Sequence, residues 1–361
     1  MKFQVRACAL VLLMMLFLFA DSCNKGSVVP VSSTDDGKSN PSTNKPATST
    51  TTGSGATSTT TSGSTTATPV TSASPINYTP SGVISLDGSH DITISGKSIN
   101  GGPVPAISLS NCYNVHITQN KLGNSTDVGI KLFNCKNITI DYNYITNVSG
   151  GVYVVQSSQG GIIVNNNQFL NMNGPSPRGQ FVQFDNVSGP NNSISYNKGE
   201  NISGQSNPQD AINLFMSNGT AASPIQVTGN WIRGGGPSTT GSGIMLGDYG
   251  GSYEVASNNI LVDPGQCGMA IAGGDHMSII NNSIYARAQS FTNVGIYVWG
   301  QAGYAITNST VSGNNVKFIS QQYGENDSWL ASGTPIPTGW NTNIFGANIT
   351  SSILPSVIIT L

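Results

Sequence analysis

The chain has 361 residues, of which only 8% are charged and 43 are glycine, and its formal net charge is −2 at pH 7. This charge provides no electrostatic footprint for nucleic acid, so we expect no nucleic-acid partner. The length allows a large core, and the high content of Gly, Asn, Ser and Thr predicts a fold that contains many turns.

Residues 1–23 have the pattern of a secretory signal peptide. Basic residues precede an apolar run at 7–20, which is too short to span a bilayer and is followed closely by Cys23. The segment resembles the signal of bacterial lipoproteins, in which the Cys becomes the lipidated first residue, although Ala20 replaces the usual Leu. We therefore expect a lipid anchor on Cys23, and an ordinary cleaved signal is the alternative.

Residues 24–76 are rich in Ser, Thr, Gly and Pro and contain almost no large apolar side chain. Such a segment cannot bury a core and is predicted to be a disordered tether. As a flexible coil it would reach roughly 40 Å, enough to hold the domain at 77–361 clear of a membrane. The prediction is a lipid-anchored protein of the bacterial cell envelope, in the outer membrane or at the cell surface.

A short pattern then recurs: an aliphatic residue, an Asn three positions later and an apolar residue two positions further. Successive copies are 23 to 33 residues apart, and Gly199 is the one failure of the last position. The central slot is occupied in turn by Lys97, Asn120, Asn143, Asn167, Asn197, Asn230, Asn258, Asn282 and Asn314.

This period indicates a solenoid. Apolar residues alternate at period 2 around each copy, as in Val115-His116-Ile117, which predicts strands instead of helices. The Leu pattern of leucine-rich repeats is missing, and propeller blades need about 40 residues. The remaining fold is a parallel β-helix. Asn suits its turns because it tolerates left-handed backbone, and stacked Asn amides form a hydrogen-bonded ladder.

Between about residues 92 and 316 the chain resembles the right-handed parallel β-helix superfamily, the pectate-lyase-like fold. This resemblance implies an all-β, right-handed parallel β-helix solenoid with about nine coils. We expect residues 77–88 to cap its start. Trp329, Trp340 and the apolar tail at 353–361 are predicted to cap its end, because an open end would expose the core.

Cys112 and Cys135 are one repeat apart, so they are predicted to stack on neighbouring coils about 4.8 Å apart. A disulfide is within reach, and a pair of buried thiols is the alternative that we favour. Cys267 has no partner in the pattern, and no Cys/His spacing suggests zinc.

The repeats between Asn167 and Asn258 carry extra residues, and insertions in a solenoid form loops on one face, often the binding face. A second strand aligns there with inward residues Ile130, Val152, Val182, Ile212, Ile244, Ala270 and Ile296. The residues that follow point outward and include Lys131, Tyr153, Gln183, Asn213, Met245, Ile271 and Tyr297, then Phe133, Val155, Asp185, Phe215, Gly247, Gly273 and Trp299. This mixed aromatic and polar face suits a polysaccharide groove, or its aromatics simply stack on each other.

Two chemistries suit the charged residues of these coils. A lyase acting on a uronic-acid polymer needs a positive group and a base, for which Arg178, Arg233, Lys198 and His276 are available. A glycosidase needs carboxylates roughly 5 to 9.5 Å apart, and Asp185, Asp210, Asp248 and Asp275 are available. The candidate catalytic residues are Arg233, Asp210, Asp248, Asp275 and His276. The candidate substrate-binding residues are Arg178, Gln183, Asp185, Asn213, Phe215, Tyr249 and Trp299.

Structural roles are the alternatives: Arg233 paired with Asp248 or Asp210 in a tight loop, and Asp275 with His276 in an exposed turn. The signatures of polygalacturonases, classical pectate lyases and mannuronan epimerases are missing, so the resemblance assigns no catalytic residue. The prediction is a protein that cleaves an acidic polysaccharide, first as a lyase and second as a hydrolase. A non-catalytic carbohydrate-binding or adhesion module and a structural surface protein are the alternatives. The cofactor stays open, with calcium as the candidate ion.

Overall fold

The computed structural model describes residues 76–175 and 178–360. The predicted signal peptide, Cys23 and the tether before Ile76 lie outside these residues. The regular structure of the described part is almost entirely β-strand. Its short 3-10 helices are Gln301–Gly303, Trp340–Thr342 and Ser351–Ile353. Within the described ranges no helix has the length and apolar character needed to cross a bilayer.

Each coil contributes one strand to each of three parallel sheets, numbered in the order in which the chain passes through them from Ile84. Sheet 1 contains Ile84–Asp87, Ile107–Ser110, Ile130–Phe133, Val152–Val155, Val182–Asp185, Ile212–Asn218, the first part of Ser242–Ser257, Cys267–Ile271, Val294–Val298 and Ser328–Leu330. Sheet 2 contains His90–Ser95, Tyr113–Thr118, Lys136–Asp141, Ile162–Asn165, Ser193–Ser195, Ile225–Thr228, the second part of Ser242–Ser257, Gly274–Ile280, Ile306–Thr307 and Thr310–Ser312.

Sheet 3 contains Thr79–Ser81, Lys97–Gly102, Lys121–Ser125, Tyr144–Val148, Gln168–Met172, Lys198–Glu200, Trp231–Arg233, Ile260–Val262, Ser283–Ala286, Asn315–Ser320 and Ile344–Phe345. Gly324–Glu325 pairs antiparallel with the end of Asn315–Ser320. Coil-on-coil parallel pairing confirms the β-helix that the repeat predicted.

The core fills the space between the three sheets. Alternate strand residues point inward and are buried, as in Val152–Val155, because side chains of a strand alternate between its two faces. The exception at Gly199 has a packing reason. A Cβ at this position would lie 2.3 Å from the ring of Phe181, which enters the core from the loop before sheet 1. The aromatic ring therefore replaces the aliphatic side chain that the other coils carry.

The predicted Asn ladder is confirmed in its hydrogen bonds. The buried Asn143 amide, for example, donates to Oδ1 of Asn167 at 3.0 Å and to the backbone carbonyl of Ile117 at 2.9 Å. The prediction of Asn258 as a rung was wrong. Asn259 is the residue that accepts from Asn230 and donates to Asn282, whereas Asn258 is exposed.

The left-handed turn was also assigned to the wrong position of each coil. The ladder residue itself does not have positive φ in the described coils, whereas the residue before it does, as at Gln119 (54°), Asn166 (54°) and Asn258 (55°). The ladder Asn is therefore selected for its amide. The tolerance of Asn for left-handed backbone matters one residue earlier, where Gln, Tyr and Gly also occur.

A second register correction concerns sheet 1. Met269, and not Ala270, pairs with Ile244 and Ile296 in the inward row. Ala270 consequently points outward between Met245 and Tyr297, and Ile271 lies in the core. The one-residue difference reverses the faces of this strand.

The apolar tail was predicted as an end cap, which is not its position. Leu354 and Ile358 pack on Val262 and Trp231, on the outer side of sheet 3. The Thr360 amide reaches Oε1 of Gln168 at 2.7 Å. The tail is therefore a strap along the side of the solenoid. Trp340 does pack against the end of the core, as predicted, and Ile84 and Leu86 pack against its start. Trp329 instead lies on sheet 1 and is 43% exposed.

Cys112 and Cys135 are buried free thiols, which agrees with the favoured alternative. The backbone amide beyond Cys135, that of Lys136, donates to the Cys112 carbonyl, so the two cysteines lie on neighbouring coils as predicted. Burial raises the pKa of the Cys135 thiol to about 11, so this thiol is protonated at neutral pH.

Candidate functional site

Some of the extra residues of the middle coils form loops at one edge of sheet 1. Residues 201–211 and 234–241 connect sheet 3 to sheet 1 there, where an early coil uses only 126–129. The two loops meet each other, because Gln209 donates to Thr240 Oγ1 and Ala211 N–H donates to the Ser242 carbonyl. The prediction that the insertions lie on one face is right only in part, because 186–192 and 219–224 also lengthen the other edge of sheet 1, where an early coil uses only 134–135.

Beside these loops Asp210 and Asp248 form a carboxylate pair. The Nδ2 group of Asn213 donates to Oδ2 of each, 2.9 Å away in both cases, so the two oxygens are at most twice that distance apart. Oδ1 of Asp210 also accepts from the backbone amide and the hydroxyl of Ser242, both at 2.7 Å. Asp210 and Asn213 are 2% exposed and Asp248 is 8% exposed.

Burial dominates the electrostatics of this pair. Loss of water raises the pKa of Asp210 to about 6, because its hydrogen bonds from Ser242 and Asn213 compensate only in part. Burial raises the pKa of Asp248 to about 7, and the negative charges of Asp210 and Asp185 add to the effect. Asp248 is therefore poised to carry a proton near neutral pH, as a general acid requires.

A bulge in Ser242–Ser257 brings Asp248 into this position. The pairing with the preceding strand jumps from Asn213 beside Met245 to Phe215 beside Asp248, so Gly247 does not occupy the outward slot that the sequence predicted for it. Gly247 has φ of +64°, and a Cβ there would lie 2.0 Å from the Gly273 carbonyl oxygen, so glycine is required.

Glu254 supports the bulge from inside the core. Its Oε2 accepts a hydrogen bond of 2.8 Å from the Gly247 amide, and its Oε1 is buried without a hydrogen-bond partner. The residue is fully buried in the inward row between Ile225 and Met277. This burial, with the nearby charge of Asp248, raises the pKa of Glu254 well above its usual range.

Asp185 lies on the same row of sheet 1 as Asp248, two strands away, with Phe215 between them. Two strand spacings amount to about 9.6 Å between the backbones. The hydroxyl of Tyr153 donates to Oδ2 of Asp185 at 2.6 Å, and the Arg178 guanidinium lies 4.1 Å from the centre of the Tyr153 ring. Burial, together with this bond, raises the pKa of Tyr153 to about 12, so it remains a donor.

Aromatic rings adjoin the carboxylates. The rings of Phe215 and Tyr249 are 5.1 Å apart, and the ring of Tyr304 is 5.7 Å from that of Tyr249. Tyr304 packs over Gly250 and Gly273, where a side chain would collide with it. Such a surface can stack on a sugar ring.

The structure brings together Arg178, Gln183, Asp185, Asp210, Asn213, Phe215, Asp248 and Tyr249 of the predicted site residues. Arg233 lies away from this group, on sheet 3. Its guanidinium donates to the Pro355 and Ser356 carbonyls and pairs with Glu200 at 3.5 Å. Arg233 therefore pairs with neither Asp248 nor Asp210.

Asp275 and His276 are also separated from the pair. Asp275 accepts from Thr307 and Asn308 on sheet 2, and these bonds, with that from His276, lower its pKa to about 2. The His276 ring stacks on Tyr253 at 4.5 Å. Trp299 lies further along the axis beside Trp329, with 5.8 Å between the rings.

Tyr304 and Glu254 were missed from the sequence. Glu254 could have been identified as a carboxylate at an inward strand position. The assignment of Asn258 to the ladder instead predicted that Val255 points inward and Glu254 points outward. The correct rung, Asn259, restores Glu254 to the core. No signal distinguished Tyr304 from other turn residues.

The described residues hold no group of three or more His, Cys, Asp or Glu side chains arranged to bind a metal ion. At the carboxylate pair, Asn213 presents an N–H donor to both acids. A calcium ion needs oxygen ligands on all sides. The donor set between Asp210 and Asp248 therefore does not fit calcium.

Comparison with known proteins agrees with this architecture. A family model described as a right handed beta helix region matches residues 57–232. The fold of this chain is a right-handed parallel β-helix. The curated proteins give no match to its sequence.

Three solved structures are similar to this β-helix. The catalytic domain of a GH87 alpha-1,3-glucanase in complex with nigerose is 14% identical, with 71% of this chain and 50% of that chain covered and a TM-score of 0.47. An alginate lyase from Paenibacillus sp. str. FPU-7 is 15% identical, with 68% and 87% covered and a TM-score of 0.44. DFA-IIIase from Arthrobacter chlorophenolicus A6 without its lid is 13% identical, with 71% and 60% covered and a TM-score of 0.36. The β-helix thus spans half of the glucanase domain.

Proposed function

We propose that this β-helix hydrolyses the glycosidic bonds of a polysaccharide, with Asp248 as the general acid and Asp185 as the general base. The observation that carries the proposal is the carboxylate pair, in which two buried aspartates share the amide of Asn213 and Asp248 has a pKa of about 7. An acid of this pKa is protonated in part of the molecules at neutral pH and can donate to a leaving oxygen.

The spacing supports an inverting reaction. Asp185 and Asp248 lie on one row with about 9.6 Å between their backbones, and their side chains can bring the carboxyls within the roughly 6.5–9.5 Å that separates those of inverting enzymes. That gap leaves room for a water molecule beside the sugar. Asp248 gives its proton to the departing oxygen while Asp185 takes a proton from the attacking water. Asp210 acts through Asn213 and through its charge, which helps to keep the proton on Asp248.

A lyase is less well supported by the same geometry. Of the four basic residues considered for that reaction, Arg233, Lys198 and His276 have contacts elsewhere, and Arg178 is the one beside Asp185. Tyr153, the nearest phenol, has a pKa of about 12 and is a poor base at neutral pH. A purely binding module would spread its aromatics and scatter its charges, whereas here Asp210 and Asp248 share one amide and Asp185 lies two strands away on the row of Asp248.

The substrate that we propose is an acidic polymer. Lys131 lies on the half-buried outer face of sheet 1, four strands from Asp248, and Arg178 reaches over Tyr153 on this face from the loop before Val182–Asp185, so both suit anionic sugar units. We also propose that the lipid anchor on Cys23 and the tether at 24–76 hold the domain at the cell envelope, as the signal sequence predicts.

The test is an assay of the purified protein on polygalacturonate, alginate and a neutral glucan. New reducing ends and absorbance at about 235 nm are measured in parallel, with and without calcium. Hydrolysis gives reducing ends without absorbance. Asp248→Asn is expected to abolish these reducing ends, whereas Asp263→Asn, which removes a carboxylate in another turn, is expected to retain them. A rise in absorbance would instead establish a lyase. Retention on immobilised polymer with neither product would establish a binding module.

A further inference from the structure

The outer face of sheet 1 is open at one end and covered at the other. Lys131, Tyr153 and Gln183 are half-buried and Phe133 is 39% exposed. We call this open part, from Lys131 to Phe215, the shelf. The outward row that starts at Lys131 is closed from Asn213 onward: Asn213 is 2% exposed, Met245 and Ala270 are 0% exposed and Tyr297 is 2% exposed.

The covered section has its own apolar cluster outside the core. It is formed by Met245, Cys267, Ala270, Ala272, Val294 and Tyr297, with Trp299 packed against it. Polar and aromatic residues from loops hold it closed. Gln301, in the 3-10 helix after Sheet 1, donates to the Tyr297 hydroxyl at 2.6 Å. The ring of Phe291 lies against the Gly236 backbone, where a Cβ would be 2.3 Å from it.

Asp248 lies at the boundary between the shelf and the covered section. On the shelf side, the outward row of Asp248 continues through Phe215, Asp185 and Phe133, which lie one, two and four strands away. This row runs beside the row that contains Lys131 and Met245. Four strand spacings are about 19 Å, and one spacing is close to the length of one hexose unit, so the shelf holds about four sugar units. The next strand on the other side is already closed.

We infer that the polysaccharide reaches Asp248 only from the shelf side, so the enzyme acts on chain ends and releases short products. This inference rests on the proposed hydrolase function. Cleavage breaks the bond between an anomeric carbon and the bridging oxygen; water supplies OH to the carbon, and its other hydrogen balances the proton that the bridging oxygen receives. The covered section then limits the number of sugar units in the product that leaves from the closed side of Asp248.

Viscosity tests this mode of action. Polygalacturonate and alginate are incubated with the protein, and viscosity is followed against new reducing ends. Action at chain ends predicts a slow, proportional fall in viscosity and one dominant short product from an end-labelled heptasaccharide. A steep fall in viscosity at few reducing ends, with a ladder of products, would overturn the inference while leaving hydrolysis intact. An absence of reducing ends on every polymer would overturn the proposed function, and the inference with it.

Two exposed aromatics on opposite sides of Asp248 provide a matched pair of variants. Phe133 is 39% exposed on the shelf and Trp329 is 43% exposed beyond the covered section. Phe133→Ala is expected to raise KM for long oligosaccharides several-fold and to leave short ones unaffected. Trp329→Ala is expected to leave KM unchanged for both long and short oligosaccharides. A raised KM in Trp329→Ala with an unchanged one in Phe133→Ala would show that the chain continues past Tyr297, and would overturn the inference.

Discussion

The carboxylates of Asp210 and Asp248 accept hydrogen bonds of 2.9 Å from one amide nitrogen, that of Asn213. Because Asp210 precedes its strand and Asp248 follows a bulge in the next coil, only the stacking of coils brings them together. The amide keeps two acids close in a site that excludes water. This arrangement favours a proton on one of them and gives the site its expected acid function.

The first prediction concerns the acid. Asp248→Asn keeps the volume and removes the proton donor, so kcat is expected to fall at least ~100-fold. The buried carboxyl has a raised pKa, so its contribution to stability is fully present below its unfolded pKa near 4 and is lost as pH rises through about 7. The Asn variant should therefore melt higher than wild type at pH 8, and this difference should shrink as the pH is lowered toward 4. Asp263→Asn is the control, and reduced stability of Asp248→Asn at pH 8 would contradict the burial argument.

The second prediction is the pH dependence of the reaction. If Asp248 must be protonated, kcat/KM should fall about tenfold per pH unit above pH 7, since the pKa of Asp248 is about 7. Initial rates on the preferred polymer between pH 4 and pH 9 measure this limb. A rate that increases from pH 7 to pH 9 would exclude Asp248 as the acid.

The third prediction concerns Glu254, which holds the Gly247 amide behind Asp248. Glu254→Gln keeps an acceptor for that amide, so it should fold and retain activity. Glu254→Leu leaves a buried N–H unpaired, which costs about 1–3 kcal/mol and should loosen the bulge. Because the pKa of Glu254 is raised, its stabilising contribution is lost as pH rises. The Gln variant should therefore lose less stability than wild type between pH 5 and pH 8. Equal activity in the Leu variant would show that Asp248 does not depend on this support.

The fourth prediction separates two adjacent asparagines. Asn259 is a fully buried rung, and its amide donates to Asn282 and to the Val227 carbonyl, whereas Asn258 is exposed. Asn259→Ala leaves several buried groups unpaired and should cost about 3 kcal/mol or more. Asn258→Gly suits the positive φ at that position and should change stability by under ~1 kcal/mol. Denaturant unfolding of both variants measures the difference, and similar losses would argue against the ladder register.

The fifth prediction concerns Arg233, whose guanidinium donates to the Pro355 and Ser356 carbonyls of the strap. Arg233→Ala should lower stability by about 1–3 kcal/mol, because hydrogen bonds to a charged group are lost. Catalysis by the folded variant should be retained. Arg287→Ala is the control, since its pair with Asp263 is exposed and is expected to contribute under ~1 kcal/mol. A large loss of kcat in Arg233→Ala without unfolding would return this residue to the catalytic site.

Repetition explains what the sequence predicted well. Evenly spaced rungs such as Asn120 and Asn143 identify strands, coils and the inward face, because each copy repeats the same contacts. The errors are single-residue shifts where adjacent residues both fit the pattern, as at Asn258 and Asn259. One shift hid the inward Glu254. The bulge at Gly247 likewise depends on contact with Gly273 in the next coil, which local sequence does not encode.

Contacts between distant coils could not be predicted from the repeat. The charged candidates were grouped by their closeness along the chain, yet Arg233 and Asp248 belong to different sheets. Conversely, Tyr153 and Asp185 are 32 positions apart and share a hydrogen bond. The position of a side chain around the coil therefore decides its role, and this requires the register of every turn.

The strap changes how this solenoid is expected to fold. A stack of coils held by neighbouring contacts alone can form progressively, one repeat after another. Here Thr360 bonds to Gln168, 192 positions earlier, and Leu354 and Ile358 cover the sides of intervening coils. Until the strap has been synthesised, an apolar strip including Trp231 and Tyr285 remains uncovered. The middle coils therefore reach their final stability only after the strap has docked, and melting should couple coils that share no direct contact.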